Sequence, residues 1–223
     1  MTAALGMYQR LELPLPWSPA KAKTPLVVYG GATAVGAFAI KFAKLSNIHP
    51  IITVAGKGIP YVESLVEIEK GDVVLDYREG DEKLRQGIKH AAGGFPILHA
   101  YDAVSEKGSF QNIFGVLNQG AKFTHVLPLK ENDKVPPGIE GRQTMVGSVH
   151  KPAPEGQKLG DEDFGAAFFH FMGRGLAKGW FQGHPYEVRK GGLNGVEGAL
   201  RDLEAGKTSA VKYVMKIEDT PGV

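Results

Sequence analysis

Short apolar segments alternate with helix-length segments over the first 127 residues, and this alternation constrains the fold more than any other feature of the chain. The segments with strand character are Pro25–Tyr29, Pro50–Val54, Asp72–Asp76, Ile97–Asp102 and Ala121–Leu127. Strands buried on both faces of a parallel sheet form nearly continuous apolar runs. Because a helix separates each strand from the next, the sequence predicts an α/β fold with a doubly wound parallel sheet and right-handed crossovers.

The segments between the strands have the periodicity of helices. Residues 32–46 place Val35, Ala39 and Phe42 on one face and Lys41 and Lys44 on the other, as in an amphipathic helix. Other predicted helices cover 2–13, 61–69, 82–92, 109–118, an aromatic stretch that includes 164–171, and 194–205. The region 128–160 is rich in Pro, Gly, Lys and Glu and contains one run with strand character, 144–149; a last strand is predicted at 211–217.

Charge and composition exclude several classes of protein. The chain has 26 basic and 24 acidic residues, so its net charge of +2 provides no general attraction for nucleic acid, and none is expected as a partner. No apolar run approaches the roughly 18 residues of a membrane helix, and the N-terminus lacks the features of a secretory signal, so we expect a cytoplasmic protein. Cysteine is absent and the seven histidines lack metal-ligand spacing, so no metal site is expected.

A glycine-rich turn follows the first predicted strand and opens the first long helix. Its residues are Gly30, Gly31, Ala32, Thr33, Ala34, Val35 and Gly36. Unpaired amides and the helix dipole favour an anion at such a helix start, and small residues let a phosphate approach the backbone. The Thr33 hydroxyl is a further candidate donor. We therefore predict an NAD(P)-binding Rossmann fold, with a tight turn that binds no ligand as the alternative.

The end of the second strand bears on the choice between NAD and NADP. NAD sites usually place Asp or Glu there, about 20 residues beyond the glycines, to bind the ribose 2′-hydroxyl. The chain instead continues as Ala55-Gly56-Lys57, with no acid and with a cation that would attract a 2′-phosphate. The cofactor prediction is NADPH; the alternative for Lys57 is a solvated loop lysine.

Several segments together resemble the medium-chain dehydrogenase/reductase superfamily, in particular its zinc-independent quinone oxidoreductases and fungal trans-acting enoyl reductases. These segments are TAALGMYQ, VVYGGATAVGAFAIKFAK, AGKGIPYVESL, VVLDYREGD, WFQGHPYEV, GGLNGVEGAL and AGKTSAVKYVMKI. The resemblance implies an oxidoreductase that transfers hydride from NADPH to an enoyl, enone or quinone substrate. It also implies that Lys57 and Tyr77 hold the 2′-phosphate, and that Val104, Leu127, Gly147, Ser148 and Val149 line the ribose and nicotinamide.

The resemblance also implies a domain organisation. Family members begin with a GroES-like domain that carries substrate contacts, and this chain begins where that domain ends. We expect a connecting helix and linker over 1–20, the Rossmann domain over 21–150, and C-terminal helices and a strand over 151–223 that pack on the sheet. The expected partners are a small-molecule substrate, the GroES-like domain and a second copy in a homodimer. By itself this chain would be weakly active or inactive, and no catalytic residue is assigned. The alternative is a non-catalytic NADPH-binding scaffold.

Overall fold

The computed structural model describes residues 1–130 and 133–222. It divides into two compact units, Met1–Gln182 and Gly183–Val223. The first unit holds the predicted linker and Rossmann ranges, 1–20 and 21–150, together with a long helix that follows them. Within the described residues, no helix combines the length and the apolar character needed to cross a membrane.

A six-stranded parallel sheet forms the centre of the first unit. Its strands are β1 (Leu26–Tyr29), β2 (Ile51–Ala55), β3 (Val73–Asp76), β4 (His99–Asp102), β5 (Lys122–His125) and β6 (Glu140–Gln143). They are ordered β3-β2-β1-β4-β5-β6, and every neighbouring pair is parallel. The doubly wound parallel sheet predicted from the sequence is confirmed, and the first five strands lie within two residues of their predicted ends.

The sixth strand differs from the prediction. The run Thr144–Val149 was expected to be a strand, but β6 precedes it and Val146–His150 forms a 3₁₀ turn. β6 lies at the edge of the sheet and consists of polar residues, so it lacks the apolar signal of the central strands. Val149 is buried instead against a helical glycine, Gly165, where an added Cβ would lie 2.8 Å from the Val149 Cβ.

Within residues 1–130 and 133–182, six α-helices accompany this sheet. They are α1 (Thr2–Ala4), α2 (Ala34–Leu45), α3 (Ile59–Glu63), α4 (Asp81–Ala91), α5 (Ser109–Phe114) and α6 (Asp161–Lys178). α1 continues directly into a buried π-helical segment, Leu5–Arg10, so the predicted N-terminal helix ends three residues earlier than expected. α3 and α5 are also shorter than predicted, whereas α2 and α4 agree with prediction to within two residues.

Both faces of the sheet are buried at β1 and β2, which explains why β1 is apolar throughout and β2 nearly so. Alternate residues of β1 enter opposite cores: Leu26 and Val28 pack with α2 and α6 residues, and Val27 and Tyr29 pack with α4 and α5 residues. Burial of a large apolar side chain contributes about 1.5–3 kcal/mol to the free energy of folding. A one-residue slip of β1 would move each side chain to the opposite core, so the two cores fix the register of the strand. The sheet therefore provides a rigid frame for the loops that follow its strands.

The second unit contains a smaller sheet. β7 (Tyr186–Arg189) pairs in parallel with β8 (Lys212–Met215), and α7 (Val196–Glu204) lies between them in the chain. The helix and the last strand agree with the prediction, whereas β7 was not expected. Three of the four β7 residues are exposed, so this strand has no buried apolar pattern by which the sequence could reveal it.

Candidate functional site

The predicted site residues lie along one edge of the six-stranded sheet. Parallel strands end at the same edge, and the register brings Tyr29 beside Val54 and Asp102, and Asp102 beside His125. The residues that follow these strand ends are Gly30–Gly36 after β1, Lys57 after β2, Tyr77 after β3, Val104 after β4, Leu127 after β5 and Gly147–Val149 after β6. The strand order reverses between β1 and β4, and open α/β sheets bind ligands outside such a reversal.

The glycines after β1 allow the chain to turn directly against its neighbours. Gly30 has φ +86°, a conformation that favours glycine. The amides of Gly30 and Gly31 both donate to the Val54 carbonyl at 2.9 Å, which ties the turn to β2. A Cβ on Gly31 would overlap the hydroxyl of Thr53, and one on Gly36 would lie 2.8 Å from the carbonyl carbon of Gly30. The glycine-rich loop and the first turn of α2 thus pack backbone against backbone, with no room for side chains between them.

Thr33 is the N-cap of α2. Its hydroxyl accepts a hydrogen bond from the Gly36 amide at 3.0 Å and donates to the Gly30 carbonyl at 2.9 Å. The hydroxyl hydrogen considered as a phosphate donor is therefore used within the turn. Among the described residues, no group accepts a hydrogen bond from the amides of Ala34 or Val35, the first two of the helix. Two free amides and the positive end of the helix dipole form an arrangement that binds anions.

The ends of β2 and β3 form a second part of the site. Ala55 is the register partner of Asp76, so the loops that follow the two strands start side by side. The Tyr77 ring lies over Gly56, where an added Cβ would be 2.6 Å from Cε1 and 2.9 Å from the hydroxyl oxygen. Lys57 is exposed, and within residues 1–130 and 133–222 its ammonium makes no ion pair. A lysine and a tyrosine hydroxyl therefore occupy adjacent loops.

Asp76 and Arg78 form a close ion pair on either side of Tyr77. The Arg78 guanidinium donates to both carboxylate oxygens at 2.5–3.0 Å, and its backbone amide donates to Oδ1 at 2.9 Å. The Arg78 side chain and amide lower the pKa of the Asp76 carboxyl to about 2. The carboxylate is therefore charged at neutral pH and fully engaged by its partner. Neither residue is among the site residues predicted from the sequence.

A buried carboxylate, Asp102, organises the loop after β4. It accepts hydrogen bonds from the amides of Val104 at 2.9 Å and Ser105 at 2.7 Å, and from the Ser109 hydroxyl at 2.5 Å. Burial raises the pKa of this carboxyl. The loop places Val104 over the glycine turn, since a Cβ on Gly30 would lie 2.5 Å from Val104 Cγ2. Asp102 is not among the site residues predicted from the sequence, although an Asp at a strand end that is followed closely by Ser residues is a signal for such a loop.

The loops after β5 and β6 contribute the remaining predicted residues. Leu127 is 46% exposed, and its carbonyl lies 2.6 Å from Nδ1 of His125. The space around Gly147 is open, with no atom within 4 Å of an added Cβ. The Ser148 hydroxyl donates to the Met145 carbonyl at 2.9 Å and accepts from Arg10. The structure thus leaves Leu127 and Gly147 accessible.

Arg10 anchors the loop after β6, a role that the sequence analysis did not assign. Its guanidinium pairs with Asp161 at the start of α6 and also donates to Ser148 at 3.3 Å. This pair lowers the pKa of the Asp161 carboxyl. Within the described parts of the chain, no group of three or more His, Cys, Asp or Glu side chains is placed to hold a metal ion.

The sequence is similar to fungal reductases. No protein family model matches the chain. It is 41% identical over 197 residues to the trans-enoyl reductase fsr4 of Gibberella fujikuroi, which covers 87% of this chain and 56% of the relative. It is 32% identical over 222 residues to the trans-enoyl reductase ACTTS2 of Alternaria alternata, covering 97% of this chain and 62% of the relative. The chain thus spans about three fifths of the length of these relatives.

The fold is shared with solved reductase and dehydrogenase structures. A putative NADPH:quinone reductase of Bacillus thuringiensis superimposes with a TM-score of 0.69 at 15% identity, over 94% of this chain and 60% of the other. Enoyl reductases and alcohol dehydrogenases superimpose similarly. The chain is thus similar in sequence to fungal trans-enoyl reductases, and it shares its fold with enoyl reductases, a quinone reductase and alcohol dehydrogenases of known structure.

Proposed function

We propose that this chain binds NADPH along the carboxyl edge of its six-stranded sheet, as the cofactor-binding part of an oxidoreductase that reduces an enoyl, enone or quinone substrate. The observation that carries the proposal is the glycine turn at the start of α2, with two unpaired amides at the point where the strand order reverses. In the proposal, NADPH supplies the hydride, and the residues of this chain bind and orient it.

The start of α2 fits a pyrophosphate group. The amides of Ala34 and Val35 are available as donors, and the helix dipole adds a favourable potential worth about 0.3–1 kcal/mol for an anion. Side chains larger than hydrogen at Gly31 and Gly36 would collide with neighbouring atoms, so the close packing of the turn on β2 and α2 depends on these glycines. In this proposal Thr33 acts as the cap that positions these amides, and its backbone and that of Ala32 complete the turn.

The loops after β2 and β3 fit a 2′-phosphate. Lys57 supplies a cation without an ion-pair partner in the described chain, and the Tyr77 hydroxyl supplies a donor on the neighbouring loop. β2 ends at Ala55, so no carboxylate on that strand is available for the ribose 2′-hydroxyl of NADH. Charge-assisted hydrogen bonds contribute roughly 1.5–3 kcal/mol each, which supports a preference for NADPH.

The other half of the edge is proposed to receive the second ribose and the nicotinamide. Val104 lies against the glycine turn, and Leu127 and Gly147 are accessible in the next two loops. Ser148 and Val149 hold the last loop through Arg10 and Gly165. The apolar side chains of Val104 and Leu127 would exclude water from one face of the nicotinamide ring, which would favour one orientation of the ring.

The substrate class is proposed from the relatives, which are trans-enoyl reductases. The chain covers about three fifths of their length, so it would share the reaction with the rest of such a protein. We assign no catalytic acid. The chemistry of this chain is confined to holding the hydride donor, and a small molecule with an activated double bond is the proposed substrate.

Calorimetric titration with NADPH and NADH tests the cofactor assignment. We expect NADPH to bind about ten-fold to a hundred-fold more tightly, equivalent to about 1.4–2.8 kcal/mol. Lys57→Ala and Tyr77→Phe should weaken NADPH binding and leave NADH binding nearly unchanged. Lys89→Ala, which removes an exposed lysine from α4, is the matched control and should change neither. Equal affinity for the two cofactors in the unmodified chain would refute the assignment.

Isotope transfer tests the oxidoreductase assignment. The chain, at stoichiometric concentration, is incubated with an enoyl thioester and NADPH that carries deuterium at the transferable position of the nicotinamide. Deuterium at the β-carbon of the product would support hydride transfer by the unmodified chain. At subsaturating NADPH, the Lys57→Ala variant should give no such product. Because the chain alone is expected to be weakly active or inactive, the reaction is repeated with the chain joined to the part of fsr4 that it does not cover. Tight NADPH binding without deuterated product in both forms would favour the non-catalytic module instead.

A further inference from the structure

We infer that Arg78 is a specificity-determining residue for the 2′-phosphate, because it covers the carboxylate of Asp76 and holds the turn that carries Tyr77. This inference rests on the proposed NADPH site. Lys57 and Tyr77 are the residues proposed to bind the phosphate, whereas Asp76 and Arg78 form an ion pair beside them.

Asp76 lies beside the two loops proposed to hold the 2′-phosphate, where an uncovered carboxylate would oppose that anion. It ends β3 directly beside Ala55, the residue that ends β2, and Tyr77 and Lys57 follow on these two loops. Its carboxyl has a pKa of about 2 and is therefore an anion at neutral pH. An uncovered carboxylate at this edge could also accept a hydrogen bond from a ribose 2′-hydroxyl, as acids at strand ends do in NAD sites.

Arg78 removes both of these effects. Its guanidinium bonds to both oxygens of Asp76, so neither oxygen is free to face a ribose hydroxyl. With Lys57, Asp76 and Arg78 the local formal charge is +1, and without Arg78 it would be zero. A planar guanidinium bound to a carboxylate at two points is a geometry that lysine cannot reproduce.

Arg78 also positions the tyrosine. Its backbone amide donates to Asp76 Oδ1 at 2.9 Å, so the carboxylate and the arginine together close the turn around Tyr77. The Tyr77 ring is held against Gly56, beside Lys57. The Asp76 carboxylate is therefore neutralised by the Arg78 side chain, and through the Arg78 backbone amide it closes the turn that carries Tyr77.

The test compares four chains: unmodified, Arg78→Met, Asp76→Asn and the double variant. Each is titrated calorimetrically with 2′,5′-ADP and 5′-AMP, which differ only in the 2′-phosphate, and with NADPH and NADH. We expect Arg78→Met to lower the preference for 2′,5′-ADP over 5′-AMP about tenfold. Asp76→Asn should keep or increase the preference, and the double variant should recover to within about threefold of the unmodified chain, because the exposed carboxylate is gone.

The outcomes separate this inference from the proposed function. If the unmodified chain shows no preference for the 2′-phosphate, the NADPH assignment itself fails. If Lys57→Ala abolishes the preference and Arg78→Met leaves it intact, the role of Arg78 is refuted while the NADPH site stands. The role of Arg78 would also be refuted if the double variant prefers 2′,5′-ADP no more than Arg78→Met does. In that case the loss of preference would not be caused by an exposed Asp76 carboxylate. Thermal unfolding of each variant, together with Arg78→Lys, identifies any loss that comes from the fold.

Discussion

The first turn of α2 packs so closely on the glycine turn that a Cβ on Gly36 would overlap the carbonyl oxygen of Gly30 and lie 2.8 Å from its carbonyl carbon. The same carbonyl oxygen accepts hydrogen bonds from the Thr33 hydroxyl and the Thr33 amide, both at 2.9 Å. The helix start and the turn are therefore one rigid structure. A substitution that pushes the helix start away from the turn would therefore move the amides of Ala34 and Val35, which we propose to bind the cofactor.

Replacement of Gly36 by alanine should weaken both the fold and NADPH binding. The added methyl group has no room at the Gly30 carbonyl, and overpacking of this kind costs about 1–3 kcal/mol. Gly173→Ala is the matched control, because Gly173 lies in α6 with open space around it and should gain about 0.5–1 kcal/mol from the better helix former. Urea unfolding and NADPH titration of both variants measure the difference. Equal effects of the two substitutions would contradict the packing argument.

A second prediction concerns Asp72, at the opposite edge of the sheet. This fully buried carboxylate accepts hydrogen bonds from Nδ1 of His49 at 2.7 Å and from the amides of Ile51 at 2.7 Å and Glu67 at 2.9 Å. Asp72→Ala would leave these donors buried without an acceptor, and we expect it to lower the free energy of unfolding by about 2–4 kcal/mol.

Tryptophan fluorescence during urea denaturation measures this effect, since both tryptophans of the chain lie in the first unit. The control is Glu79→Ala, which removes an exposed carboxylate paired with Lys83 and should change stability by less than about 0.5 kcal/mol. An unfolding midpoint for Asp72→Ala that matches the control would show that these hydrogen bonds contribute little.

Stability should fall in mild acid because of His99. Burial, with a smaller effect of the nearby Lys122 cation, lowers the pKa of this imidazole from 6.5 to about 4. Between these two pH values the unfolded chain binds a proton that the folded chain does not, so stability decreases as the pH falls from 6.5 towards 4. At pH 5 the loss from this group is about 1–2 kcal/mol relative to pH 7.

The His99→Gln variant isolates this contribution. Its unfolding free energy should depend less on pH between 7 and 5 than that of the unmodified chain, by about 1–2 kcal/mol. Above pH 7 the two proteins should respond to pH in parallel, because the imidazole is then neutral in both the folded and unfolded states. Identical pH profiles over the whole range would exclude His99 as a source of acid sensitivity.

β1 and β2 were predictable because burial on both faces leaves an almost continuous apolar run in the sequence. Leu26–Tyr29 and Ile51–Ala55 are buried at every position, and both were recognised. β6 could not be recognised in the same way, because Glu140 and Arg142 form ion pairs at an exposed edge. The apolar residues after it, Val146 and Val149, looked like a strand, but Val149 packs against α6 rather than in the sheet.

The glycine turn was predictable for a different reason. Its glycines are needed by the local backbone geometry of residues close together in the chain, so their spacing is visible in the sequence. The partners of the site residues were not predictable, because they come from distant parts of the chain. Arg10 reaches Ser148 and Asp161 across more than a hundred residues, and Val104 reaches Gly30 only because β1 and β4 are neighbours. The role of Thr33 as a cap also depends on where its hydroxyl points, which residue identity does not determine.

Hydrogen–deuterium exchange with and without NADPH tests the central claim most directly, namely that the cofactor lies along the carboxyl edge of the sheet. We predict slower exchange on NADPH binding in peptides that cover 30–36, 55–58 and 76–78, and no change at the opposite edge, in 21–23 and 47–50. NADH at equal saturation should protect 30–36 but protect 55–58 and 76–78 less, because it lacks the 2′-phosphate. Protection confined to the opposite edge, or none at 30–36 under saturating NADPH, would contradict the account.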